Sequence, residues 1–326
     1  MTNTTAMLEL PQADCGQLAD GRSWKTAIVG YRCQLNENNY FQIEYVIGRE
    51  TARFKLFSGD THLTELDSWF DWFFALNSAV QNIDIAEEDA VIGRVSRRGF
   101  YQRTKLWYRG NNDGNFPLQW VENKSGVRHP LRTEASQGEV YRRYFHSLKM
   151  EFSLRHFDLE RDLEQFTDWM NQKRVAQFWE EEGDVNKQRK FIESVIQDPH
   201  KLPLIACLDE KPFAYFEIYW AFEDRIAPYY ECQPFDRGVH MLVGDKRFLG
   251  KRFAQAWFNG VSHFMFLDDA RTESLVGEPR ADNRALLRYI NGTFGWKKIK
   301  EFDFPHKRAA LVMCNRDEFL RNMGGV

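Results

Sequence analysis

At 326 residues the chain is longer than one ordinary domain and suits two, each large enough to bury a core. Its net charge of −3 excludes a global basic field that would draw it to nucleic acid or a membrane, so any phosphate ligand must be met by a local cluster. The five cysteines, Cys15, Cys33, Cys207, Cys232 and Cys314, are odd in number, scattered and without a C-x-x-C pair, which argues against structural zinc and a disulfide framework.

The opening MTNTTAMLELPQADCGQL has neither a basic region nor an apolar run, and no window reaches the length of a membrane span, so the expected setting is the cytoplasm. Residues 1–20 read as a flexible lead. The runs TAIVGYRCQL, NYFQIEYVIG and ARFKLF read as strands, with turn signals at Asn36 to Asn39 and Gly48. Leu63 to Leu76 places apolar residues at helical spacing and predicts a helix packed on that sheet. Gly93 to Trp107 and Phe116 to Val121 read as further strands, with a glycine-rich turn at Gly110 to Asn115. The polar stretch Asn123 to Gly138 reads as a linker, giving an N-terminal α+β domain over 1–137 and a second domain over 138–326. LDSWFDWF and LEQFTDWM echo one another, which fits a degenerate second copy of one lobe as well as it fits two unrelated amphipathic helices.

The second half alternates strand and helix, which predicts mixed α/β architecture. SLRHFDL is a strand, LEQFTDWMNQ and VNKQRKFIESVIQDP are helices, and LPLIACLDEKPFAYFEIYWA is a hairpin turning at Asp209 to Pro212. GVHMLVG is a strand that breaks at Gly244 into a basic turn opening a helix from Gly250 to about Leu267. ESLVGEP, ADNRALLRYING, WKKIKEFDF and RAALVMCN then give strand, helix and two closing strands.

The basic turn offers Lys246, Arg247, Gly250, Lys251 and Arg252 beside the free amides and positive dipole end of a helix, a bed for a pyrophosphate. The spacing Arg247-x-x-Gly250-x-Arg252 resembles the Arg/Gln-x-x-Gly-x-Gly/Ala signature with which acetyltransferases of the GNAT superfamily hold coenzyme A, departing from it at Arg252. The blocks RVAQFWEEEG, KPFAYFEIYWAFEDRI, QPFDRGVHMLVG, GEPRADN and KEFDFPHKR, with GEVYRRY upstream, resemble the GNAT acyltransferases of hydroxamate siderophore assembly, the aerobactin-type N-hydroxylysine acetyltransferases in particular.

That resemblance implies a GNAT fold in the C-terminal half and acetyl transfer from acetyl-CoA to the nitrogen of an N-hydroxylated amine, with no metal. It implies that the strand Val239 to Gly244 splays from its neighbour, so that backbone at Met241, Leu242 and Val243 meets the cofactor, together with Asn283. It places His240 and Asp282 as an acid/base and positioning pair; which of them takes the proton stays open. Each also has a plain structural reading, a histidine satisfied by a carboxylate and a helix N-cap. Phe178, Trp179, Tyr219 and Trp220 are expected to line the acceptor pocket, with Arg174, Glu217 and Asp236 holding its far end. Charges of both signs are present, so the head group stays undecided between N-hydroxylysine and a diamine such as N-hydroxyputrescine. Succinyl-CoA or a longer donor, a general amine N-acetyltransferase and a non-catalytic acyl-CoA-binding protein are the alternatives. The partners implied are small molecules, and a homo-oligomer is compatible with all of them.

Overall fold

The computed structural model describes residues 28–34, 40–46, 50–56, 66–88, 90–110, 118–135, 137–291, 293 and 295–324. The lead at 1–20, the turns at Asn36 to Asn39 and Gly48, and the glycine-rich turn beyond Gly110 lie outside them. The chain forms two compact units, Met1–Arg103 with Leu320–Gly325, and Thr104–Phe319 with the last residue. The division falls after Arg103, whereas the sequence suggested one at 137/138, and the stretch read as a linker lies within the second unit.

In the first unit β1 (Ile28–Gln34), β2 (Tyr40–Val46), β3 (Thr51–Leu56), β4 (Asn82–Glu87) and β5 (Ala90–Ser96) form one sheet in sequential order. All neighbours are antiparallel except β3 and β4, which α1 (Asp67–Leu76) connects as a parallel crossover. The apolar spacing of α1 buries Trp69, Phe70, Phe73 and Phe74 on one side, and Phe54 of β3 meets Phe70 and Phe73 at ring separations of 5.4 Å. The strand expected over Gly93 to Trp107 ends at Ser96. The chain then turns into α2 (Arg97–Phe100), which the Ser96 hydroxyl caps by accepting the Gly99 amide at 3.1 Å, and α3 (Thr104–Trp107) opens the second unit.

The second unit has a short hairpin, β6 (Trp120–Glu122) and β7 (Arg128–Pro130), and an eight-stranded sheet. Its strands are β8 (Glu139–Phe145), β9 (Met150–His156), β10 (Lys201–Leu208), β11 (Lys211–Trp220), β12 (Arg237–Val243), β13 (Ser274–Gly277), β14 (Trp296–Asp303) and β15 (Arg308–Asn315). Across the sheet they run β14-β15-β13-β12-β11-β10-β9-β8. On one face lie α4 (Leu159–Met170), α5 (Lys173–Trp179) and α6 (Val185–Gln197), whose Phe166, Trp169, Met170 and Ile192 share a core with Tyr215 and Leu242. On the other lies α7 (Lys251–Asp268), where Trp257 meets Phe216 at 6.1 Å. Two more helices, α8 (Arg284–Ile290) and α9 (Arg316–Asn322), follow β13 and β15.

The only parallel pair in this sheet is β12 with β13, and it is joined at Arg237↔Leu275 and Gly238↔Val276 alone. Beyond Gly238 the two strands part. A parallel pair that separates leaves backbone donors and acceptors of β12 facing a gap.

Candidate active site

His240 stands where β12 leaves β13, and its ring is held from both sides. Nδ1 lies 3.2 Å from Glu217 Oε1 on β11, and Nε2 lies 2.7 Å from Glu278 Oε1, just past the end of β13. Both carboxylates are buried, with side chains 4% and 0% exposed, while the imidazole keeps 24% of its surface open to the cleft. Burial alone would drive the imidazolium to lose its proton, but the charges and hydrogen bonds of Glu278 and Glu217 outweigh it and raise the His240 pKa to about 10. For Glu278 burial acts in the opposite direction and pushes the pKa upward, and His240 followed by Lys307 brings it down to about 2. At neutral pH the centre is therefore an imidazolium donating both N–H groups to two carboxylates.

The second oxygen of Glu278 accepts the Tyr219 hydroxyl at 2.8 Å, and the Tyr219 ring lies 4.7 Å from that of His240. Gly238 makes this possible, since a Cβ there would fall 1.9 Å from Tyr219 Cζ. Tyr215 donates to Glu217 at 3.3 Å. These buried tyrosines fix the orientation of the two carboxylates and keep them aimed at the imidazole.

Trp179, at the end of α5, donates its Nε1–H to the Met241 carbonyl at 3.3 Å. That carbonyl consequently faces away from β11 and into the gap. In an antiparallel strand the N–H and C=O of one residue point to the same edge, so the Met241 amide also faces the gap, a donor for a carbonyl oxygen placed there. Leu242 and Val243 are buried.

At the other end of β12 the chain passes through Gly244 and a short turn at Lys246–Phe248 into α7. Asp245 accepts the Arg247 amide at 2.9 Å and its guanidinium at 2.6 Å, which shapes the turn. Gly250 takes φ 105° and ψ 162°, a region open in practice to glycine alone, and caps the helix without a side chain. The first intrahelical bond is Ala254 N to Gly250 O, which leaves the amides of Lys251, Arg252 and Phe253 without helical acceptors. Lys251 also borders a groove of about 450 Å³ shared with Arg288 and Tyr289 of α8, and Arg252 reaches the Ser147 carbonyl. Lys246 and Arg247 are exposed.

A cleft of about 680 Å³ opens at the gap. Phe178, Trp179, Glu217, His240, Met241 and Asn283 line it, as do Glu278, Asp224, Arg225 and Lys307. Several expected residues stand elsewhere. Asp282 is 67% exposed and pairs with Arg280 at 3.1 Å, so the carboxylates beside His240 are Glu217 and Glu278. Asn283, next to it, caps α8 by accepting the Leu286 amide at 3.2 Å. Arg174 donates to the Gly244 carbonyl at 2.6 Å and so ties α5 to the turn, outside the acceptor cleft. Trp220 is buried between the guanidinium groups of Arg132 and Arg237, 4.1 and 4.5 Å from its ring. Asp236 is buried and accepts from Tyr230 and the Gln233 amide, each at 3.0 Å, closing the loop before β12. Glu278 was the residue missed; it sits in the GEPRADN block, and only the pairing of β13 shows which acid of that block turns inward.

Among the described residues one cluster has the spacing of metal ligands, His129, His200 and Glu223. Arg132 holds both Glu223 oxygens, at 2.7 and 2.6 Å, so the carboxylate is already satisfied.

Residues 158–304 match the family model of the acetyltransferase (GNAT) domain. The chain is 45% identical to the N(6)-hydroxylysine O-acetyltransferase of Escherichia coli over 230 residues, 71% of this chain and 72% of that protein. It is 39% identical to a hydroxyornithine transacylase of Ajellomyces capsulatus over 65% of this chain and 51% of the longer fungal protein. The crystal structure of an uncharacterised Bacillus halodurans protein superposes with a TM-score of 0.54 at 23% identity, covering 58% of this chain and 98% of that one, a likeness of fold.

Proposed function

The chain belongs to the GNAT acetyltransferases, in the group that includes the E. coli hydroxylysine enzyme, and we propose that it transfers an acetyl group from acetyl-CoA to the nitrogen of an N-hydroxylated amine, forming a hydroxamate for siderophore synthesis. The observation that carries the reading is the His240 centre at the gap between β12 and β13, with the amide-lined basic turn at the far end of the same strand. Acyl-CoA lies along the gap, its pyrophosphate on the turn and its thioester oxygen at the Met241 amide.

A hydroxylamine nitrogen is much less basic than an alkylamine, so it is unprotonated near neutrality and attacks directly. The nitrogen lone pair forms the N–C bond and the C–S bond breaks. Once it has attacked, the nitrogen is cationic and strongly acidic, so a weak base suffices to remove its proton. The ionised carboxylates of Glu278 and Glu217, joined through His240, accept it, and it ends on the departing thiolate as free CoA thiol. His240 acts here as the charged link that holds both carboxylates ionised, and the reaction needs no covalent intermediate on the protein.

The test follows thiol release with acetyl-, succinyl- and longer acyl-CoAs against N6-hydroxylysine, N-hydroxyputrescine and their parent amines, with the product scored by its ferric complex. Acetyl-CoA and a hydroxylamine should be the fastest pair, because a parent amine of pKa about 10.4 is almost wholly protonated at pH 7. Equal rates on lysine would make the protein a general amine acetyltransferase. Thiol release without a ferric complex would move the acyl group from nitrogen to oxygen.

A further inference from the structure

We infer that Arg225 and Lys307 form a subsite for a carboxylate on the acceptor, so that the substrate is an N-hydroxylated amino acid in preference to a diamine; this rests on the acyl-transfer reading above. Both side chains border the cleft, Arg225 from the loop before β12 and Lys307 from the turn between β14 and β15. Arg225 Nη2 and Lys307 Nζ lie 3.8 and 3.9 Å from the same oxygen, Glu278 Oε1. Those separations exceed a hydrogen bond, and that oxygen already receives His240 at 2.7 Å.

Neither cation makes a hydrogen bond to any other described residue, and both lean on the ring of Phe304, at 5.5 and 5.6 Å. Lys307 is moreover only 17% exposed. Two cations that converge on a cleft with their donors unused present the fork and point charge that bind a carboxylate. Asp224 borders the same cleft, its Oδ1 fixed by the Ile226 amide at 3.0 Å, and supplies the opposite charge for an α-ammonium.

The anion is not a phosphate of the donor. Arg225 and Lys307 stand at Glu278, beside His240 in the middle of β12, whereas the basic turn lies beyond the strand's C-terminal end, about 10 Å further along. A molecule reaching from the gap to Arg225 and Lys307 therefore comes from the acceptor side.

The experiment measures kcat/KM by thiol release for N6-hydroxylysine and for N-hydroxycadaverine, which has the same chain without the carboxylate. Wild type, Arg225→Gln, Lys307→Gln and Lys307→Arg are compared. Wild type should prefer the amino acid by about tenfold or more, and each Gln variant should lower that ratio by about tenfold, through a higher KM for the amino acid. Lys307→Arg should retain most of the preference. A wild-type ratio near unity overturns the subsite, and so does a parallel loss on both acceptors, which would mark the cations as counter-ions of Glu278. Should Lys307→Gln fail to fold, Arg225→Gln, whose side chain is 53% exposed, carries the same comparison. Turnover of neither hydroxylamine by wild type removes the acyl-transfer reading and the subsite with it.

Discussion

His240 is held by two carboxylates, and that has a thermodynamic signature. Its pKa rises from 6.5 to about 10 on folding, so its contribution to stability is complete below pH 6.5 and is lost as the pH climbs through 10. Glu278 runs the other way, from 4.5 to about 2, so its contribution is present above pH 4.5 and is lost as the pH falls towards 2. Urea unfolding of the wild type should therefore show stability falling from pH 6.5 to 10, and His240→Asn should flatten that slope. An unchanged slope would show that the imidazole is neutral in the folded state. In catalysis, Glu278→Gln should lower kcat by about a hundredfold, the usual size of an acid–base contribution, with little change in KM for acyl-CoA. Asp282→Ala should cost far less, because that side chain is exposed and bound to Arg280. A larger loss at Asp282 than at Glu278 would restore Asp282 as the partner of His240 during turnover.

The strand β12 carries both halves of the proposed chemistry, which divides what sequence could show from what it could not. The basic turn was legible because its signal is local: a strand, Gly250 and a cluster of cations in consecutive positions. Glu278 was not, since it reaches His240 across a parallel pairing of only Arg237 and Gly238 with Leu275 and Val276, and it stands four positions before the expected Asp282. Arg174 and Asp236 misled because polar residues in a matching block can serve backbone as readily as substrate, and here they bind the Gly244 carbonyl and the Gln233 amide. The turn itself is testable. Reversing Lys251 to Glu should raise KM for acyl-CoA about tenfold or more by placing a negative charge at the helix N-terminus. Gly250→Ala should do the same through the backbone, at a stability cost of about 1–3 kcal/mol, because its φ of 105° is closed to a side chain. Unaltered KM in both variants would move the pyrophosphate elsewhere.

At the scale of the whole molecule, the alternation of the second half was enough to predict its α/β sheet, because each strand and helix there carries its own periodicity. The first unit was harder to read, since one residue decides its course. Arg97, fully buried, looks in sequence like part of a basic strand end, Arg97-Arg98. In the fold it donates to the carbonyls of Val80 at 2.7 Å, Phe74 at 3.0 Å and Asn77 at 2.5 Å, and to that of Met323 near the C-terminus. One guanidinium thus ties the end of α1, the start of β4 and the returning residues Leu320–Gly325 into a single unit, a link of more than two hundred residues along the chain that no local pattern announces. Arg97→Met removes the donors and leaves these carbonyls buried, at about 1–3 kcal/mol for each one unsatisfied. Hydrogen exchange should then quicken across α1, β4 and β5 and in residues 320–324, while the strands β10 to β12 keep their protection. Uniform quickening through both units would instead show that Arg97 governs global unfolding, and unchanged exchange in α1 and β4 would show that water replaces its bonds at little cost.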